Sequence, residues 1–170
     1  QTCALPICDG GGKAGITFEM KSCLDEKYPM NSAAGNVGGW GDSDMRNAKM
    51  PPLLSKLPHP LQAAIKTVDK LTSAGNQSAT IVTTSDKLFI LSEVEVFGTT
   101  THSVAGEGSQ YEYYAAGNSK IKTVDGVASS RWGRSPDADS SGFTLVSNVG
   151  GPSAAGNSNS SQGIAISFSI

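Results

Sequence analysis

Residues that carry the commoner catalytic and metal chemistries are scarce in this chain of 170, which holds three cysteines and two histidines. Cys3 and Cys8 stand at the very start and Cys23 is alone after them, so no disulfide framework can be written. An isolated cysteine is ordinarily a small buried hydrophobe. His59 and His102 have no second His or Cys at ligand spacing, which argues against a zinc-type site. Calcium needs clustered carboxylates, and the only candidates are Asp137 and Asp139 with Glu93 and Glu95. Neither a Ser-His-Asp arrangement nor a phosphate loop can be found from order or spacing. The expectation is a protein that is not an enzyme and that needs neither metal nor cofactor.

Neither sign of charge dominates, with 13 Lys and Arg against 15 Asp and Glu. Charged residues make up 16% of the chain and the formal net charge is −2, so there is no basic footprint for nucleic acid or an anionic membrane surface. No apolar run approaches the roughly 18 residues that span a bilayer. No positively charged start followed by an apolar stretch is visible. The expected partners are therefore neither nucleic acid nor the membrane interior.

What is present reads as one loop-rich globular domain. Apolar residues reach 38%, enough for a single core at this length, and 20 glycines break the pattern. The opening Gln1-Thr2-Cys3-Ala4-Leu5-Pro6-Ile7 has no periodicity and does not resemble the rest of the chain in pattern. Residues 1–8 are read as a non-native, adapter-derived segment. The domain is then expected over residues 9–170, cut on its N-terminal side and part of a larger polypeptide.

Gly15 to Met20 alternates apolar and polar residues, as a half-buried strand does. A helix is predicted from Ser43, as N-cap, through Met45, Ala48, Leu53, Leu54 and Leu57, with a kink or restart at Pro51-Pro52. A second starts after Pro60, with Leu61, Ala64, Ile65 and Val68 on one face. Thr67–Leu71 and Thr80–Thr84 predict a hairpin around Ser73-Ala74-Gly75-Asn76. Leu88–Leu91 reads as a strand buried on both faces, Ser92-Glu93-Val94-Glu95 as a capping box, and Gln110–Ala116 as a short helix stopped by Gly117-Asn118. Lys120–Val124, Ser130–Arg134, Phe143–Val146 and Gly163–Ile170 complete a strand-rich second half. Helices early and strands late give an α+β class: two helices packed on a small twisted antiparallel sheet.

The last forty residues carry the functional signal. Trp132, Arg134, Ser135 and Pro136 open a stretch of Ser, Gly, Asn, Asp and Ala, interrupted by Phe143 and Leu145-Val146 and closed by Ile164, Ile166, Phe168 and Ile170. Small polar residues between strand anchors describe a surface that displays side chains on a fixed frame. The expected display residues are Ser129, Ser130, Arg131, Gly133, Asp137, Asp139, Ser141, Thr144, Ser147, Asn148, Asn157, Ser158, Asn159 and Ser161. Trp40, Arg46, Trp132, Arg134, Ser135 and Pro136 are expected to be structural, with Arg134 bonding loop carbonyls. Tyr111, Tyr113 and Tyr114 suit a binding surface, although at least one should face inward.

Gly12-Lys13-Ala14-Gly15-Ile16-Thr17-Phe18, Gly38-Gly39-Trp40 with Met45-Arg46, Ser85-Asp86-Lys87-Leu88-Phe89 through Glu95, and Trp132-x-Arg134-Ser135-Pro136 succeed one another in an order that resembles a bacterial and phage family. That family is a domain of unknown function, abundant in gut bacteria and their viruses, with a Trp-Trp-Leu-Arg-Ser-Pro type motif. It is similar to the C-type lectin fold, in the branch shared with formylglycine-generating enzymes and with the variable proteins of diversity-generating retroelements. Here the motif departs to Arg131-Trp132-Gly133, with one aromatic fewer.

The resemblance implies a ligand-binding domain whose C-terminal side chains are varied by adenine-directed mutagenesis, and it implies receptor recognition. A protein or glycan ligand on a cell surface, and a virion or extracellular location, would accord with it. Enzymes of the related branch use a cysteine pair, which this chain lacks outside its opening segment. Since Ser, Gly, Asn and Asp are also ordinary loop residues, an invariant structural or glycan-adhesive module stands beside the variable protein. In this fold the C-terminal strand pairs with the N-terminal one, so a cut gene is expected to leave Ile164–Ile170 with an unpaired edge.

Overall fold

A computed structural model describes residues 15–154 and 157–170. The proposed adapter segment lies outside the described residues. The first strand, β1 (Thr17–Glu19), precedes three short helices: α1 (Gly39–Asp42), α2 (Met50–Ser55) and α3 (His59–Ala64). A hairpin comes next, β2 (Val68–Ser73) with β3 (Ile81–Asp86), then α4 (Glu93–Phe97) and α5 (Glu112–Ala115). Six strands finish the chain: β4 (Lys122–Val124), β5 (Val127–Ser129), β6 (Arg131–Pro136), β7 (Phe143–Val146), β8 (Pro152–Ala154) and β9 (Ser167–Ser169).

The α+β class holds, but the expected single sheet is replaced by small antiparallel pieces. Among the described residues these are β1-β9, β2-β3, β4-β5 and β6-β7-β8. The helices are equally short. Ser43 does accept a hydrogen bond from the Arg46 amide at 3.2 Å, as a capping residue would. Ser43 itself ends α1, however, and Asp44 is the residue that precedes a π-helix over Met45–Lys49, so that α2 begins only at Met50. Pro51 and Pro52 lack the N–H that a continuous ladder would require, and they sit in the first turn of α2 where no such donor is needed.

The second helix is shorter than its periodicity predicts. It stops at Ala64, Ile65 is extended, and Val68 opens β2. The Lys66 amide finds the Ser169 carbonyl at 2.9 Å instead of a helical partner. Three β-branched residues, Ile65, Thr67 and Val68, beside a waiting strand edge settle the competition in favour of extended chain.

The first and last strands of the described residues lie side by side. Thr17, Phe18 and Glu19 pair with Ser169, Phe168 and Ser167, while Lys66 and Phe89 bridge Ser169 and Ser167 from the other side. The expected unpaired edge at Ile164–Ile170 is therefore absent: β9 is hydrogen-bonded on both sides. Leu88–Leu91 is buried as expected, but its pairing is an isolated bridge at Phe89 and not a continuous strand. Together with Trp40, Trp132, Phe143, Tyr111, Tyr114, Ile164 and Ile166 it forms the core.

Candidate functional site

The Trp132 motif builds the frame. All six residues of β6 are buried, so the strand has no solvent face. A register shift between Trp132 and Pro136 breaks the pairing with β7, and such an irregularity re-aims side chains that regular alternation would send elsewhere. Trp132 Nε1 donates to the Tyr28 carbonyl at 2.8 Å and its ring meets Phe143 edge to face. Ser135 Oγ accepts the Glu93 amide at 2.9 Å.

Arg134 is fully buried and satisfies three carbonyls, those of Ile90, Leu71 and Glu107, at 3.1, 3.0 and 3.1 Å. It also pairs with Glu95, which receives Lys70 Nζ at 2.5 Å on its other oxygen. Burial alone would raise the Glu95 carboxyl, yet Arg134 and Lys70 together hold it down to about 2. The same burial depresses Lys70. Trp40 and Arg46 converge on one carboxylate, Asp86, at 3.0 and 2.7 Å. These contacts anchor α1, the hairpin and β6 to one another, which is a structural task.

The loops over this frame are tied by one side chain that no sequence motif singles out. Asn36 is buried, and its Nδ2 donates towards the carbonyls of Gly142, Ser140 and Asp137 at 2.7, 3.0 and 3.3 Å. Its Oδ1 accepts the Asn76 amide at 2.8 Å. Ser158 completes the set: Oγ accepts the Gly35 amide at 2.8 Å and donates to the Ala33 carbonyl at 3.1 Å, while its own carbonyl takes the amides of Met30 and Asn31. Gly75 packs so closely on Asn36 that an added Cβ would lie 1.6 Å from the Asn36 carbonyl oxygen, and its φ of +72° already favours glycine. Four loops, 33–37, 75–78, 137–142 and 157–161, thus form one platform held through backbone atoms. Asn76, Gln77, Asp139, Ser141, Asn157, Asn159 and Ser161 are exposed on it.

The expected display residues divide accordingly. Asp139, Ser141, Asn157, Asn159 and Ser161 lie exposed on the platform, and Ser130 and Ser147 are half-buried. Asn148 is exposed but belongs to the Ser147–Gly151 turn, whose Gly150 lies against Lys120 and Ile121. Exposure fails for the others: Ser129, Arg131, Gly133, Asp137, Thr144 and Ser158 are buried. Arg131 pairs with Glu19 at 3.3 Å. Gly133 sits where a Cβ would meet Thr144 Oγ1 at 2.6 Å, and Asp137 Oδ1 accepts the Asp139 amide at 2.8 Å. Of the tyrosines, Tyr111 and Tyr114 are buried and Tyr113 is exposed.

The four carboxylates considered as calcium candidates are not brought together. Glu93 accepts the amides of His102 and Ser103 and the Ser103 hydroxyl, Glu95 serves Lys70 and Arg134, and Asp137 lies in the 137–142 loop. Among the described residues no group of three or more His, Cys, Asp or Glu could hold a metal ion, and no helix is long and apolar enough to cross a membrane.

A family match extends over residues 14–170, nearly the whole chain. The chain belongs to the family described as Domain of unknown function (DUF6273). No curated protein and no solved structure is significantly similar to this DUF6273 domain.

Proposed function

We propose that this DUF6273 domain is a ligand-recognition module that presents the exposed side chains of the Asn36-bound platform to a protein or glycan on a cell surface. The observation that carries the reading is the separation of tasks within the loops. Buried Asn36 and Ser158 hold backbone atoms, and the neighbouring side chains of Asp139, Ser141, Asn157 and Asn159 face solvent. A surface whose frame is fixed by main-chain bonds can change its side chains without refolding, and it loses little conformational entropy on binding.

The finer assignment is a C-type-lectin arrangement used as a variable protein of a retroelement, in a phage or gut bacterium. The pairing of β1 with β9 supports the first part. The Asn and Ser residues at exposed platform positions support the second, because adenine-directed changes in Asn codons yield small polar residues.

Labelling of whole bacterial cells tests the module directly. Fluorescent protein is expected to stain a subset of cells from a mixed gut community. A variant with Asp139, Ser141, Asn157 and Asn159 all changed to Ala should lose that staining at an unchanged melting temperature. Staining that persists in the variant, or none with either protein, overturns the proposal.

A further inference from the structure

On another part of the molecule, between β1, α5 and β4, lies a half-open cavity of about 400 Å³, within the range of about 300–1,000 Å³ usual for small-molecule sites. Its lining is mixed in a particular way. Tyr113 offers an exposed aromatic ring, held edge to face against buried Tyr114 at 5.2 Å between centroids. Ser22, Ser119 and Thr123 bring hydroxyls, and Glu19, Lys21 and Lys122 bring charge.

Glu19 is already engaged by Lys122 at 3.2 Å, by Arg131 at 3.3 Å and by the Tyr114 hydroxyl. Lys122 Nζ also donates to the Met20 carbonyl at 2.5 Å, and the Cys23 amide joins the Thr123 carbonyl at 2.9 Å, so the walls are bound to each other. Two lysines, Lys21 and Lys122, line the cavity with one carboxylate, Glu19, and buried Arg131 also pairs with that carboxylate from behind, so the local balance is positive.

We propose that this cavity binds an acidic pyranose, a uronate-type sugar unit, with its apolar face on the Tyr113 ring and its carboxylate towards Lys21 and Lys122. An aromatic ring matches the C–H face of a pyranose, the hydroxyls match its rim, and the excess of cations selects an acidic over a neutral sugar. The site is separate from the Asn36 platform and does not depend on it.

Calorimetric titration of the intact chain with methyl β-glucuronide and methyl β-glucoside decides the matter. The glucuronide should bind saturably and about fivefold tighter than the glucoside. Tyr113→Ala should weaken it about tenfold, and Tyr113→Phe should keep it. Lys21→Ala should erase the preference for the acidic sugar. Asn159→Ala, on the platform, should change nothing here, so the two sites fail or succeed independently. Tyr113→Phe and Lys21→Ala keep the test available should Tyr113→Ala fold poorly. Absence of saturable binding, equal affinity for the two glycosides, or indifference to Lys21→Ala overturns the proposal.

Discussion

Asn36 Nδ2 lies 2.7 Å from the carbonyl oxygen of Gly142, a contact between residues 106 apart in sequence. One amide with two protons serves three carbonyls there and accepts the Asn76 amide as well. Asn36→Ala should therefore leave several buried backbone groups short of partners and cost about 3 kcal/mol. Asn36→Asp should be no milder, because a carboxylate would face those carbonyls. Thermal melts give the cost, and limited proteolysis should show new cleavage within residues 137–142.

Loop residues should sort by exposure and not by type. Asn148→Ala, Asn157→Ala and Asn159→Ala are expected to stay within about 0.5 kcal/mol of the parent. Ser158→Ala, chemically the smaller change, should cost about 1–2 kcal/mol because it removes the bonds to Gly35 and Ala33. A denaturant series on the four variants checks the contrast. Equal costs would mean that the exposed side chains are part of the packing.

Local signals in the sequence are reliable where the physics is local. The capping box at Ser92 forms with both of its hydrogen bonds, and Gly98 closes α4 in the left-handed conformation. The hairpin from Val68 to Asp86, the strand Phe143–Val146 and the buried Trp132 are all legible from pattern. The β4-β5 hairpin goes unread although its signal is present: Asp125-Gly126, with φ of 49° and 79°, forms the two-residue turn between Val124 and Val127.

The functional division of the loops is not legible. Ser158 and Asn157 are neighbours of similar chemistry, and only contacts with residues more than a hundred positions away bury one and expose the other. Arg131 and Lys70 are opaque for the same reason. A charged residue reads as solvated until the fold supplies Glu19 or Glu95 to pair with it.

Core aromatics should dominate stability. Trp132→Ala and Phe143→Ala are expected to cost about 3–5 kcal/mol each. Phe168→Ala should cost less, since that ring is only partly buried and stacks on exposed Phe18. Thermal melts of the three variants would rank them.

Acid should unfold the domain through Glu95. Its carboxyl falls from the usual 4.5 to about 2 in the folded state, so the folded form binds fewer protons between those values. The stability it contributes is complete above pH 4.5 and is lost as pH falls towards 2. Glu95→Gln should flatten that part of the profile and, by leaving Lys70 and Arg134 buried without their carboxylate, lower stability at pH 7 by about 3–5 kcal/mol. Denaturation series between pH 2 and pH 7 would show both effects.

Sequencing many natural copies of this gene bears hardest on recognition through the platform. Amino-acid replacements should concentrate at Asn76, Gln77, Asp139, Ser141, Asn157 and Asn159, well above equally exposed positions elsewhere such as Lys56, Lys87 and Ala115. Asn36, Ser158, Asp137 and Arg131 should stay constant between them. Replacements spread evenly over all exposed positions, or falling on Asn36 and Ser158 as often as on Asn157 and Asn159, would contradict a surface kept for binding.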